Sequence, residues 1–151
     1  MNFMIKIIGV IGDSNADQTA RDSAYRVGRL LANAGAILIC GGLGGVMEAA
    51  CKGAKEYGGS TIGILPGNDT IAANPYVDYP VATGIGYARN LIIINTASAL
   101  IAVSGKYGTL SEIAFALQLG KPVYGLGTWD IDGVIVCSTP EEAVSKALKN
   151  K

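Results

Sequence analysis

The 151-residue sequence contains no histidine. That absence excludes every catalytic triad that moves its proton through an imidazole, and every metal centre built on imidazole ligands. The three cysteines, Cys40, Cys51 and Cys137, include no CxxC pair and sit in apolar surroundings. They read as small buried hydrophobes, with a reactive thiol as the lesser alternative. No metal site and no resident cofactor is expected from this set. Charge of one sign is also missing: twelve basic and twelve acidic residues cancel, with no basic run. A nucleic-acid groove therefore lacks electrostatic support. No apolar stretch is long enough for a bilayer, since LIIINTASALIAV is broken by Asn95, Thr96 and Ser98. The opening MNFMIKIIGVIG has no cationic n-region or clear cleavage site and reads as a first strand, with the cytoplasm as the default location.

What remains is apolar. Half of the residues are hydrophobic and only 16% are charged, which excludes a disordered chain and fits a sheet buried on both faces. The length suits one domain, residues 1–151. Strand-like and helix-like patterns alternate along it. FMIKIIGVIG (3–12), AILIC (36–40), STIGILP (60–66), ALIAV (99–103) and KPVYGLG (121–127) read as strands, with GVIVC (133–137) a further one. YVDYPVA reads as a short strand whose Pro80 places it near an edge or a strand end. Ala20, Ala24, Val27, Leu31 and Ala34 recur at helical spacing over residues 17–34, and GGLGG opens a second helix. IGYARNLIIIN (85–95) is read as a buried helix, because parallel strands need a crossover before ALIAV. A further helix is expected from Gly108 or Thr109 to Leu119, and a final one over 139–150, capped by Thr139 with Pro140 first and Glu142 completing a capping box. The expected fold is α/β: a three-layer, Rossmann-like, doubly wound and mostly parallel sheet of about six to seven strands.

In such a sheet, ligands sit where glycine loops lead from strand ends into helix starts. Three loops qualify. GVIGDSN follows the first strand and offers Gly12 and Ser14; CGGLGGVME follows the second and offers Gly41, Gly42, Gly44 and Gly45. SGKYGTLSE follows ALIAV and offers Ser104, Gly105, Lys106, Tyr107, Gly108 and Thr109. Any one of these loops is adequately explained as a turn. Three on the same sheet edge point to a phosphate-bearing ligand, with an anion against the amides of residues 105–109. Neither a dinucleotide fingerprint nor a P-loop is present, because the glycine spacing and the position of lysine differ from both. Between Tyr79 and Gly120 the only charged side chains are Arg89, Lys106 and Glu112. Thr109 and Glu112 stand three apart, so TLSE is also a capping box on its face.

Taken together and in order, CGGLGGVMEAACKGA, GYARN and GKYGTLSEIAFALQLGKPV resemble the LOG-type proteins once labelled lysine decarboxylases. The nearer resemblance is to the branch that includes the molybdenum cofactor carrier-like proteins, over about residues 7 to 125. The resemblance implies a Rossmann-like sheet, a homodimer or homotetramer, and a site for a nucleotide or nucleotide-like phosphorylated cofactor. In the family's catalytic branch it implies hydrolysis of the N-glycosidic bond of a nucleoside 5′-monophosphate. Arg89 and Glu112 match the family's arginine and glutamate and are the candidate catalytic pair, with Asn90 beside them as a ligand contact. A lysine decarboxylase would need pyridoxal phosphate, and no lysine is placed for its Schiff base. Two departures stand out: the family's Pro-Gly-Gly is Ser104-Gly105-Lys106 here, and the arginine's neighbourhood is YARN, without further charge. Binding carries over better than catalysis, and two readings stay open, a phosphoribohydrolase and a non-catalytic carrier or sensor.

Overall fold

The computed structural model describes residues 4–150. Seven strands alternate with helices: β1 (Ile7–Gly12), α1 (Gln18–Asn33), β2 (Ile37–Cys40), α2 (Val46–Glu56), β3 (Ser60–Leu65) and β4 (Tyr79–Ala82) form the first part. A 3-10 turn at Gly86–Arg89 then runs into α3 (Asn90–Thr96), followed by β5 (Ala99–Val103), α4 (Tyr107–Gln118), β6 (Val123–Leu126), β7 (Val134–Val136) and α5 (Pro140–Lys149). All strands pair in parallel, in the order β4-β3-β2-β1-β5-β6-β7. Strand β4, with its Pro80, forms one edge. The first strand was expected from residue 3; residue 3 lies outside the described residues, and pairing begins at Ile7.

Strand β5 shows why this sequence makes three layers. Its five residues are all buried, and they alternate between two cores. Ala99, Ile101 and Val103 face the core shared with α1, α2 and α5, whereas Leu100 and Ala102 face the core shared with α3 and α4. A strand with period-two alternation and two apolar faces has nowhere to sit except between helical layers. Helix ends follow local chemistry. The Asp17 carboxylate accepts from the Ala20 amide at 2.9 Å and starts α1. The Thr139 hydroxyl accepts from the Glu142 amide at 3.1 Å, and the Glu142 carboxylate reaches back to the Ser138 amide at 2.8 Å. The expected capping box on α5 is thus displaced by one residue on its return arm.

Two expectations need correction. The segment 85–95 is helical, but its first turn is 3-10, entered through left-handed Gly84 and Gly86. The capping box at TLSE does not form. Lys106, not Thr109, occupies the cap of α4, the helix begins at Tyr107, and no side chain caps it. Lys106 and the left-handed Gly105 turn the chain into the helix three residues earlier than the Thr-x-x-Glu pattern suggests. Thr109 and Glu112 are therefore free of the capping role and lie buried inside the first turns.

Helices α1 and α2 cross at backbone contact. A Cβ on Gly28 would lie 1.9 Å from the Ala50 carbonyl oxygen, and one on Gly53 would lie 2.1 Å from that of Tyr25. Close-packed interiors absorb such additions only by moving whole elements. We expect Gly53→Ala to lower stability by about 1–3 kcal/mol, from overpacking. This should hold although alanine favours an isolated helix by about 1 kcal/mol over glycine. Urea denaturation gives the sign, and a gain in stability would refute the packing account.

Candidate functional site

Strand β1 has β2 on one side and β5 on the other, so the chain's winding reverses between β1 and β5. The loops leaving the carboxyl ends of adjacent strands part at such a point and leave a crevice. Here the crevice is a cavity of about 510 Å³. Every strand-end loop named from the sequence reaches it. The β1 loop contributes Gly12, Asp13 and Ser14, and the β2 loop contributes Gly41, Leu43 and Met47. The turn before α3 contributes Tyr87, Arg89 and Asn90. The start of α4 contributes Lys106, Tyr107, Gly108 and Thr109, with Glu112 one turn further on.

The remaining glycines shape the loops without lining the cavity. Gly45 has φ +63°, and a Cβ there would lie 2.1 Å from the Asp13 carbonyl oxygen, so the β1 and β2 loops touch through it. Gly42 sits over Leu65 and Gly44 sits near Ser14. Gly105, at φ +110°, lies beneath the Thr109 side chain, which would stand 2.4 Å from a Cβ. Asn74, which the sequence did not single out, is buried and fastens the β2 loop. Its side-chain amide donates to the Leu43 carbonyl at 2.9 Å, and its backbone amide donates to that of Gly42 at 2.9 Å. Asp13, Leu43 and Met47 were equally unmarked. They carry no motif signal beyond adjacency to the glycines.

Ser104 is the non-glycine residue with positive φ, at +54°, among the described residues. Proline, locked near −65°, cannot adopt that conformation. A proline at position 104 would therefore be incompatible with this loop's backbone. The Ser104 carbonyl accepts from the Thr128 hydroxyl at 2.6 Å, and its amide donates to the Leu126 carbonyl at 3.0 Å, which hold this conformation. Ser104 itself faces a second, smaller cleft beside α1 and α5 rather than the main cavity. Lys106 extends across the mouth of the main cavity, its ammonium 3.6 Å from the Asp13 carboxylate. This pair is largely exposed on the lysine side and adds little stability.

Arg89 is the fixed cation of the site, with 6% of its surface exposed. Its Nε donates to the Ile64 carbonyl at 2.8 Å, one terminal nitrogen reaches the Gly41 carbonyl at 3.4 Å, and the other donates to the Asn90 side-chain oxygen. All three acceptors are neutral, so they orient the guanidinium without cancelling its charge. Burial lowers its pKa from the ordinary value, an effect that the nearby Glu112 carboxylate opposes. Glu112 is 8% exposed and forms no hydrogen bond or ion pair within 4.0 Å among the described residues. Burial pushes its carboxyl up to about 7, with Arg89 pulling the other way. Near neutrality the cavity thus holds a guanidinium that stays charged beside a carboxyl that is only partly ionised. The uncapped start of α4 adds the positive end of a helix dipole at the same place. Cys40 and Cys51 lie beneath the β2 loop with their sulfurs 3.5 Å apart, and with Cys137 they are free and buried, as expected. Among the described residues no cluster of side chains suits a metal ion, and no helix is long and apolar enough to cross a membrane.

Comparison with known proteins agrees with this architecture. The family model described as the SLOG cluster4 family matches residues 5–150. A protein of Archaeoglobus fulgidus is 49% identical over 144 residues, covering 95% of each chain. The molybdenum cofactor binding protein of Rippkaea orientalis superposes with a TM-score of 0.91 at 38% identity, over 96% of both chains. The molybdenum cofactor carrier protein of Chlamydomonas reinhardtii superposes with a TM-score of 0.88 at 37% identity, over 97% of this chain and 98% of that one.

The raised Glu112 carboxyl makes stability depend on pH in a defined sense. Between its ordinary value of 4.5 and about 7, the folded chain keeps a proton that the unfolded chain has released. Stability therefore falls as pH rises through that window and levels off above it. Glu112→Gln removes the titration. The variant should match the wild type near pH 4 and exceed it near pH 8 by about 3 kcal/mol, from roughly 1.4 kcal/mol per pKa unit. Denaturant unfolding at both pH values measures this, and a constant difference between the two proteins would contradict it.

Proposed function

The chain belongs to the SLOG cluster4 family, and we propose that it binds and carries a phosphorylated small molecule of the molybdenum cofactor type. One observation carries this reading: the buried Arg89 guanidinium, pinned by neutral acceptors, opens on a cavity next to the uncapped start of α4. A phosphate monoester placed there receives a charge-assisted pair from Arg89 and the amides that open the helix. Gly41 permits the approach, since a Cβ there would stand 2.6 Å from the guanidinium. The likeness to proteins that bind or carry the molybdenum cofactor supports the choice of cargo. In this reading Glu112, largely neutral at slightly acidic pH, lets the anion in without repelling it.

A second reading rests on Glu112 itself. A carboxyl tuned to about 7 inside a cavity is suited to general acid or base work. In hydrolysis of the N-glycosidic bond of a nucleoside 5′-monophosphate, the ionised Glu112 would stabilise the oxocarbenium-like sugar and take a proton from the water whose oxygen bonds to C1′. The departing base nitrogen would keep the electron pair of the broken bond and receive a proton in exchange. Arg89 would hold the 5′-phosphate. Free base and ribose 5-phosphate would leave.

The two readings separate by experiment. Protein purified from a host that makes the molybdenum cofactor should release a phosphorylated pterin on denaturation, identified by mass spectrometry. Arg89→Ala should release at least tenfold less, because a buried charged hydrogen bond to phosphate is lost. A wild type that arrives empty but liberates base from AMP, GMP or CMP would overturn the carrier reading in favour of the hydrolase. Glu112→Gln should then abolish base release while nucleotide still binds.

The protein also works as a homodimer in this account. Ile92 on α3, with Phe115 on α4 and Leu119 just past its end, leaves apolar side chains exposed on the thinner helical layer. Two short helices of this kind fit an isologous contact that would bring two cavities near each other. Light scattering at micromolar concentration should give twice the chain mass, and Phe115→Asp should give the monomer. A monomeric wild type would contradict it.

A further inference from the structure

We propose that Tyr107, braced by Trp129, and Tyr87 form the seat for the flat heterocyclic ring of the phosphate ester that the cavity takes. The anion contacts of the proposed function leave open which side chains meet the ring. That reading concerns the cavity floor, on which the proposal rests; this one concerns the rim.

Tyr87 and Tyr107 are 83% and 81% exposed, and both line the mouth of the main cavity. They are the aromatic side chains among its lining residues. Exposed tyrosines scattered over a surface need no explanation, but two at the rim of one concave site do. Their positions tie them to the anion groups. Tyr107 is the first residue of α4, beside the amides that open it, and Tyr87 precedes Arg89 by two residues on the 3-10 turn. A molecule whose phosphate meets Arg89 and the α4 start must pass its other end between these elements.

Tyr107 is also supported from behind. The half-buried Trp129 ring lies 6.1 Å from it, centroid to centroid, with a tilt of 31°. The indole N–H donates to the Lys106 carbonyl at 3.0 Å, which ties the brace to the residue that caps α4. A ring held by a tilted aromatic neighbour and otherwise exposed is a prepared face, on which a planar ligand stacks at small entropic cost. Stacking tolerates any flat π-system. The rim therefore selects for a ring over its absence, and only weakly between one fused heterocycle and another.

Calorimetric titration with AMP, ribose 5-phosphate and inorganic phosphate tests this. Wild-type protein should bind AMP at least tenfold tighter than ribose 5-phosphate. AMP should quench Trp129 fluorescence, through the stack on Tyr107, and ribose 5-phosphate should not. Tyr107→Ala should reduce AMP affinity about tenfold or more and leave ribose 5-phosphate unchanged. Tyr107→Phe should restore AMP binding, and Tyr87→Ala with Tyr107→Ala should remove the remaining preference for AMP. Equal binding of AMP and ribose 5-phosphate by the wild type overturns the ring seat while leaving the phosphate site standing, as does equal loss of both in Tyr107→Ala. Failure of all three probes to bind overturns both.

Discussion

The positive charge of Arg89 is the constraint around which the rest of the site is arranged. A guanidinium removed from water and given only neutral acceptors is costly unless something else compensates it. The Ile64 and Gly41 carbonyls and the Asn90 side chain hold its geometry. They leave its charge facing the cavity. Glu112 is the carboxylate near enough to answer it, yet burial holds that carboxyl near about 7. The pair is therefore poised rather than closed: an entering anion finds one fixed cation and one acid able to keep its proton. The uncapped α4 start acts in the same sense. The two charges share one cavity without an ion pair within 4.0 Å.

The sheet makes this arrangement possible. Because β1 lies between β2 and β5, the loops after these three strands converge on one edge, and the Arg89 turn reaches them from the far side of β3. The backbones must approach each other closely there. Gly45 against Asp13 and Gly105 beneath Thr109 are the two contacts where a side chain would force the loops apart. The same edge also explains Ser104. Its left-handed backbone carries the chain out of β5 and into α4 without a proline.

Much of this was legible in the sequence, and for a simple reason. Strands buried on both faces read as apolar runs, so β1, β2, β3, β5 and β6 are visible in the order of the residues. In so apolar a chain the few charges between Tyr79 and Gly120 stood out, and Arg89, Lys106 and Glu112 do line one cavity. The start of α4 was misread because Thr-x-x-Glu is a local signal, whereas the helix start was decided by Gly105 and Lys106 turning earlier. Thr109 and Glu112, the two residues of that capping pattern, are buried. Of the glycines in the β2 loop, Gly41 alone lines the cavity, since spacing cannot separate a glycine that admits a ligand from one that admits another loop. Asn74 was unreadable because its partners, the Gly42 and Leu43 carbonyls, lie some thirty residues away. Tyr87 and Trp129 acquire meaning only through their neighbours in space.

The central claim is that Arg89 and Glu112 act as one anion site in which the carboxyl answers the arriving charge. Sulfate, which does not itself titrate near neutrality, tests it by calorimetry at pH 7.5 in two buffers of different ionisation enthalpy. An anion beside Glu112 disfavours its ionised form and raises its pKa further. Sulfate binding should therefore take up a fraction of a proton per site in the wild type and none in Glu112→Gln. Sulfate binding without proton uptake by the wild type, or with equal uptake by the variant, would contradict the account.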